Sequence, residues 1–191
     1  MAKKKKSKSN LKEGLRVEVE IPEGIKLEVA GFDVTATAGG KSLTRRFLTP
    51  NLKISVEGNK ALITAERATR REGKVGGTLE AHLKTMFKGV TKGHIYKLKI
   101  CSGHFPMNVS CTPKEFVIKN FLGEAVPRRL VLPEDVKVTV QGTEITVESI
   151  NKESAGQTAG NIEQLTKISG RDSRIFQDGI YIVEKDGKKI A

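Results

Sequence analysis

One order of elements, short strands followed by a hairpin and then a helix, occurs twice in this chain. In the first half, residues 16–21 alternate strictly between apolar and polar side chains, which is typical of a half-buried strand. Residues 52–56 and 61–65 are further strand-like runs, and the four residues between them, 57–60, form a hairpin signal. The period then becomes helical, with apolar residues at Leu79, Leu83, Met86 and Phe87.

The second half repeats this order. Residues 136–142 match residues 52–58, and residues 115–123 match residues 42–50. The second of these matches aligns Phe121-Leu122 with Phe47-Leu48. A second helix is expected from Thr158 to Ile168. Such a repeat indicates a duplication. The chain is therefore predicted to be an α+β protein of two tandem domains, each an antiparallel β-sheet with one covering α-helix.

Glycines mark the expected boundaries of the two copies. Gly89 and Gly93 indicate where the first helix stops, and the glycines of residues 73–78 are interpreted as a flexible lead into it. The predicted divisions are a basic, disordered tail at 1–10, a first α+β repeat at 11–92 and a second α+β repeat at 93–191. The second repeat ends in a C-terminal extension, for which the first offers no clear counterpart.

The net charge of the chain indicates the class of its binding partner. The chain has 34 Lys+Arg against 22 Asp+Glu, a formal net charge of +12 and a pI near 9.7. The lysines at 3–6 and 8 account for fewer than half of that excess, so the folded part is expected to be basic as well. A polyanion is the expected partner. No membrane partner is predicted, because no apolar run approaches the roughly 20 residues that span a bilayer and the N-terminus does not resemble a secretory signal.

Residue types that carry catalysis or bind metals are sparse. His82, His94 and His104 are accompanied by no serine nucleophile motif and no paired carboxylates, so no catalytic residue, cofactor or small-molecule substrate is predicted. Cys101, His104 and Cys111 lack a fourth zinc ligand, so no metal is predicted either. The two cysteines could pair across a hairpin, but free buried thiols in a reducing compartment are the favoured interpretation.

The block from Gln164 to Lys185 combines features of a binding surface. Arg171 and Arg174 follow the end of the second predicted helix, Phe176 offers an apolar anchor, and Asp178-Gly179 is a tight-turn dipeptide before a strand-like run. A guanidinium group suits phosphate because its planar fork can donate two hydrogen bonds at once. The block is therefore interpreted as a binding surface rather than a catalytic centre.

Basic residues also recur in other predicted loops. Lys88, Lys92 and Lys97 surround the glycines of residues 89–93, and Arg128-Arg129 lie in a loop before the next strand. Aromatic residues make up only 5% of the chain, so stacking platforms for single-stranded RNA are not expected. The pattern favours recognition of the backbone and shape of folded RNA. A two-domain adaptor that binds an acidic protein partner is the alternative.

Several motifs match one known family. In the C-terminal block the matching positions are Gln164, Ile168, Arg171, Arg174, Phe176, residues 178–182 and Lys185, and further matches lie at 21–24, 89–93, 96–97, 104–106 and 120–124. On these residues the chain resembles the large-subunit ribosomal protein six family, in its archaeal and eukaryotic branch. The resemblance extends from residue 15 to about residue 185. The departures are His94, where the family commonly has an aromatic residue, residues 101–103, where a tyrosine-containing segment is usual, and the lysine tail.

The resemblance implies a duplicated α+β fold and a structural, non-enzymatic role in the large subunit of the cytoplasmic ribosome. It implies binding of large-subunit ribosomal RNA near the sarcin–ricin loop and the base of the factor-binding stalk, with neighbouring large-subunit ribosomal proteins as further partners. Glycines at three of the expected sites would permit close approach of the backbone. The predicted RNA-binding residues are Lys88, Lys92, Gly93, Lys97, Asn120, Gly123, Arg128, Arg129, Arg171, Arg174, Gly179 and Lys185.

Overall fold

In the described part of the chain, each half contains six strands and then one α-helix, in the same order. The computed structural model describes residues 14–66, 69–172 and 174–190. The chain divides into two compact units, unit 1 ending at Thr91 and unit 2 beginning at Lys92. The basic tail predicted at residues 1–10 lies outside the described residues.

The elements of unit 1 are β1 (Leu15–Glu20), β2 (Lys26–Ala30), β3 (Asp33–Ala38), β4 (Lys41–Arg46), β5 (Lys53–Glu57), β6 (Lys60–Ala65) and α1 (Arg70–Thr91). Its described strands form two antiparallel sheets, ordered β1-β6-β5 and β2-β3-β4. Helix α1 packs on strands of both sheets. Leu79, Leu83, Met86 and Phe87 are all buried, which confirms the helical face that their spacing predicts.

Helix α1 is longer at both ends than the sequence suggests. It includes the glycines of residues 73–78, predicted as a flexible lead, and Gly89, predicted as a stop. Close packing explains Gly76, because a Cβ there would lie 2.8 Å from the Leu15 side chain. Gly93, just beyond the helix, has φ of +76°, the left-handed conformation that favours glycine after a helix end.

The elements of unit 2 are β7 (His94–Cys101), β8 (Asn108–Cys111), β9 (Glu115–Lys119), a 3₁₀ turn (Phe121–Gly123), β10 (Arg128–Val131), β11 (Val136–Gln141), β12 (Glu144–Ser149), α2 (Lys152–Leu165), β13 (Gly179–Lys185) and β14 (Lys188–Lys189). Its described strands form one antiparallel sheet ordered β10-β9-β8 and a larger one ordered β11-β12-β7-β13-β14. Helix α2 packs on the larger sheet and on β10. Phe116, Ile118, Ile145 and Ile162 are fully buried in the shared core.

The two units share one strand arrangement. The order β7-β12-β11 in unit 2 repeats β1-β6-β5 of unit 1, and β8-β9-β10 repeats β2-β3-β4. The predicted α+β fold of two tandem domains is confirmed, with the addition that the antiparallel strands of each unit divide between two sheets. The C-terminal extension adds β13 alongside β7, and β14 follows it at the sheet edge.

Backbone hydrogen bonds fix how the two copies correspond. The Phe47 N–H donates to the Phe32 carbonyl in unit 1, and the Leu132 N–H donates to the Lys114 carbonyl in unit 2. In each unit the bond joins the residue after the fourth strand (β4 or β10) to the residue before the third strand (β3 or β9). The counterpart of Phe47 is therefore Leu132. The predicted match between Phe47 and Phe121 is wrong, because Phe121 follows the third strand of its copy. The match of residues 52–58 with 136–142 is confirmed, since both contain the fifth strand and its turn glycine.

Helix α2 begins six residues before the predicted start and ends before Ile168. The Asn151 side chain caps it by accepting the Glu153 N–H at 3.0 Å. Three of its four buried residues, Ala155, Thr158 and Ala159, are small or polar. They give no clear apolar periodicity from which the start of the helix could be predicted. Within the described ranges, no helix is both long and apolar enough to cross a membrane.

Candidate nucleic-acid interface

Loops from separate parts of unit 2 meet at one end of the larger sheet. They are residues 102–107 after β7, residues 120–127 after β9 and the described residues of 166–178 after α2, and together they are called the loop face. The Asn120 side-chain amide donates to the Pro106 carbonyl at 3.0 Å, and Gly123, with φ of +80°, lies against the Phe105 ring. Contacts of His104 join the first loop to the third, so the loops form one continuous surface.

Asp178 anchors the third loop to the first. Its buried carboxylate accepts the backbone N–H groups of Gly103 and His104, and its Oδ2 lies 2.6 Å from His104 Nδ1. Burial alone would raise the pKa of Asp178, but the hydrogen bonds from His104 and Gly103 outweigh it and hold this pKa below its usual value. The predicted tight turn at Asp178-Gly179 is wrong, because Asp178 is this anchor and Gly179 already begins β13.

Arg171 is held above a stack of rings that ends at this anchor. Its Cζ lies 4.9 Å from the centroid of the Phe176 ring, and the Phe176 ring lies 4.8 Å from that of His104. Arg171 is exposed, and its charge contributes to the lowered pKa of the Glu124 carboxyl. Stacking on an aromatic ring limits the orientations of a guanidinium group. Arg171 is therefore a preoriented cation facing solvent.

Arg174 lies in the turn before Phe176 and pairs with an acidic neighbour. Its Nε and Nη2 donate to the two carboxylate oxygens of Asp172 at 3.2 and 3.0 Å. These side-chain bonds, together with one from the Arg174 backbone N–H, lower the pKa of Asp172. The Arg174 side chain is 89% exposed. Because an exposed ion pair contributes little net stability, Arg174 can exchange this partner for a phosphate.

Arg128 faces into the unit rather than into solvent. Its Nε and Nη2 donate to the Glu124 carboxylate, and its Nη1 donates to the Leu165 carbonyl at 2.6 Å. The hydrogen bonds from Arg128 lower the pKa of Glu124, and the guanidinium also lies 4.3 Å above the Phe121 ring. The phosphate contact predicted for Arg128 stays a prediction, and the structure adds these contacts within the unit. Arg128 closes the C-terminal end of α2 and ties the second loop to the third.

Replacing Arg128 with alanine is expected to destabilise unit 2 by about 2 kcal/mol, because a half-buried charged hydrogen-bond network and a cation–π contact are lost together. Thermal or urea denaturation of the full chain measures this loss. Arg129→Ala is the matched control, since its exposed side chain lies on the opposite face of β10 and should change stability by less than about 0.5 kcal/mol. Equal losses in the two variants would contradict the role given to Arg128.

Other predicted contacts lie away from the loop face. Arg129 is in strand β10, not in a loop, and strand alternation points it to the outer face of the smaller sheet. Lys97 lies on the face of the larger sheet opposite α2, where its Nζ is 3.1 Å from Glu184 Oε2. Neither residue shares a surface with Arg171. Sequence reasoning could not predict this separation, because it depends on which face of the sheet each side chain occupies.

The remaining predicted contacts divide between the two ends of the larger sheet. Gly179 pairs with Cys101 at the loop-face end, whereas Lys185 pairs with Tyr96 near the start of β7, about 20 Å away along the strand. Lys92 and Gly93 precede β7 at that distant end, next to a buried His94 whose Nδ1 is 3.2 Å from Asp186 Oδ1. Lys88 belongs to the last turn of α1 in unit 1.

Sequence reasoning missed the residues that hold the third loop in place. The Thr166 hydroxyl donates to the Glu163 carbonyl and accepts the Ile180 N–H at 2.9 Å. Asp178 bonds to backbone groups 74 and 75 residues earlier in the chain. A local sequence signal cannot reveal contacts at such separations. The hydrophilic residue types at 166 and 178 suggest exposure, yet both side chains are buried.

The cysteines and His104 do not form a metal site. Cys101 and Cys111 are free, half-buried thiols, and burial raises the pKa of the Cys111 thiol. His104 is engaged by Asp178 instead. Within residues 14–66, 69–172 and 174–190, no group of three or more His, Cys, Asp and Glu side chains is placed to hold a metal ion.

Comparison with known proteins identifies relatives over nearly the full chain. The profile of the family described as Ribosomal protein L6 matches residues 105–179. The large ribosomal subunit protein uL6 of Methanococcus vannielii is 45% identical over 174 residues, 91% of this chain and 96% of that protein. The proteins of the same name from Halobacterium salinarum and Haloarcula marismortui are 42% and 41% identical, each over 91% of this chain and 97% of its own length.

All three of these relatives are named as proteins of the large ribosomal subunit. The family profile lies entirely within unit 2 and includes Arg128, Arg171 and Asp178. The chain belongs to the ribosomal protein L6 family, in its archaeal branch. The family resemblance drawn from the sequence motifs is therefore confirmed.

Proposed function

We propose that the chain is a structural constituent of the large ribosomal subunit and binds large-subunit ribosomal RNA through the loop face of unit 2. The observation that carries this proposal is the exposed guanidinium of Arg171, which stacks on Phe176, while Phe176 lies against His104 and His104 is held by the buried Asp178. The names of the relatives support the ribosomal role. The ribosome, and with it the cytoplasm, is the expected location.

Arg171 and Arg174 would supply the phosphate contacts of this surface. Arg171 can donate two parallel N–H hydrogen bonds from one edge of its guanidinium to one phosphate, because its plane is set by the ring beneath it. Arg174 would leave Asp172 for a second phosphate. The backbone at Asn120 and Gly123 is left-handed, and Gly123 has no side chain to obstruct a close approach of RNA. The surface suits backbone and shape recognition of folded RNA.

More specifically, the bound RNA is proposed to lie near the sarcin–ricin loop and the base of the factor-binding stalk. Neighbouring large-subunit proteins would be further partners. Arg128 would position the second and third loops of the loop face. Lys88, Lys92, Gly93, Lys97, Arg129, Gly179 and Lys185 stay predicted RNA contacts, but no single surface of unit 2 unites them with Arg171. Family membership favours this function over the adaptor for an acidic protein, and no enzymatic step is proposed.

Sedimentation of the native protein tests the proposal. The protein is expected to comigrate with large subunits through a high-salt wash and to be released from them by nuclease digestion. An unrelated cytoplasmic protein of similar charge, added to the same lysate, is the control and should be removed by the wash. Migration in a small, nuclease-resistant protein complex would contradict the ribosomal role and support the adaptor.

A further inference from the structure

His104 lies in the loop face with one of its two ring nitrogens committed to the protein. Its Nδ1 is 2.6 Å from Oδ2 of Asp178, and its ring lies 4.8 Å from that of Phe176. The His104 side chain is nevertheless 40% exposed, whereas the carboxylate that it contacts is buried. The two nitrogens of an imidazole lie at different corners of the ring. The contact with Asp178 therefore leaves Nε2 as the nitrogen that can meet an external ligand.

Asp178 determines which nitrogen of His104 carries the proton. Burial acts to raise the pKa of Asp178, but the hydrogen bonds from His104 and Gly103 keep this pKa below its usual value, so the carboxylate is ionised at neutral pH. An ionised carboxylate only accepts hydrogen bonds, so Nδ1 must be the donor. In the neutral imidazole, Nε2 then presents a lone pair. His104 therefore offers an acceptor on a surface where Arg171 and Arg174 offer donors.

An acceptor at this position distinguishes between the backbone groups of a nucleic acid. The bridging phosphates carry no proton at neutral pH, so they cannot donate a hydrogen bond to Nε2. The ribose 2′-hydroxyl can donate one, and it is the group that RNA has and DNA lacks. Arg171 stacks on the same Phe176 ring that His104 contacts. A phosphate held by Arg171 would therefore bring a neighbouring ribose towards His104.

We propose that His104 accepts a hydrogen bond at Nε2 from a ribose 2′-hydroxyl and so lets the loop face distinguish RNA from DNA. This inference rests on the proposed binding of RNA at the loop face. It adds a specificity that the arginines do not supply, because guanidinium groups bind the phosphates of RNA and DNA alike. Asp178 then has two roles, since it anchors the third loop and fixes Nε2 of His104 as an acceptor.

Single 2′-deoxy substitutions in a synthetic RNA that carries the sarcin–ricin loop test the proposal with the full chain. At one ribose, the substitution should weaken filter binding by the wild type about fivefold, as expected for the loss of one hydrogen bond. His104→Asn keeps a side-chain N–H that can donate to Asp178 but lacks Nε2. This variant should bind the unsubstituted RNA about fivefold more weakly than the wild type does. It should lose no further affinity when that ribose is substituted.

Arg171→Ala is the matched control, because it removes a proposed phosphate contact from the same surface. It should weaken the binding of every RNA in the series and keep the fivefold effect at the same ribose. A general loosening of the loop face would also weaken all the RNAs alike, so it cannot imitate the coupling between His104 and one ribose. If no ribose shows an effect that disappears in His104→Asn, the inference is wrong even though RNA binds. If the wild type binds none of these RNAs, the proposed function fails and the inference fails with it.

Discussion

Replacing Asp178 with alanine is expected to lower the stability of unit 2 by about 3 kcal/mol and to disorder the loop face. The carboxylate is buried and accepts two backbone N–H groups and contacts a histidine ring. Hydrogen bonds to a charged group are worth roughly 1.5–3 kcal/mol each, and water compensates part of the loss because His104 is partly exposed. Without the anchor, His104 and Phe176 no longer hold Arg171 in one orientation.

Thermal denaturation of the full-length variant measures this effect, and a loss of about 3 kcal/mol corresponds to a fall of roughly 12–20 °C for a domain of this size. Asp172→Ala is the matched control, because it removes an exposed acid from the same loop and should leave the melting temperature nearly unchanged. A similar small effect of both substitutions would show that the loop is held by other contacts.

The same anchor predicts a pH dependence. The folded-state pKa of Asp178 lies below its ordinary value of about 3.9, so its ionised form is the one that folding stabilises. Its contribution is therefore complete above the unfolded-state pKa and is lost as the pH falls through the folded-state pKa. The difference in stability between the wild type and Asp178→Ala, measured by denaturation at a series of pH values, should shrink as the pH falls below about 4.

Local patterns predicted the duplicated core well. The alternation at 16–21 and the repeat of 52–58 at 136–142 give the strands and the order of the two copies. They work because each strand buries one face against a core, which sets a period of two in the sequence. The false match of Phe121 with Phe47 shows the limit of this reasoning. Two strands of one unit can have similar patterns, and only the pairing of the strands distinguishes the third from the fourth.

The candidate site was predicted less completely. Arg171, Arg174 and Phe176 could be singled out because the residue types suit a phosphate-binding loop. The inward orientation of Arg128 could not, since it depends on the carbonyl of Leu165, 37 residues away. The buried role of Asp178 depends likewise on residues 103 and 104. Sequence proximity suggests turns, whereas the fold determines which polar side chains join distant loops.

Replacing Arg171 and Arg174 together with alanine is expected to weaken the binding of large-subunit RNA about 30-fold or more at moderate salt. Each charge-assisted contact to a phosphate contributes roughly 1.5–3 kcal/mol in a favourable geometry, and part of that is offset where Arg174 must leave Asp172. Both side chains are exposed, so the fold should be unaffected. Filter binding with a transcript carrying the sarcin–ricin loop measures the affinity, and circular dichroism checks that the variant is folded.

The salt dependence of that binding is the most direct test of the loop face as the RNA-binding surface. The slope of log K against log salt should decrease by roughly one for each arginine removed, because each phosphate contact releases counterions. Arg70→Ala with Arg71→Ala is the matched control, since it removes two exposed arginines from α1 in unit 1. The account predicts a reduced slope for Arg171→Ala with Arg174→Ala and a slope close to that of the wild type for the control. An unchanged affinity and slope in the first variant, or equal reductions in both, would contradict it.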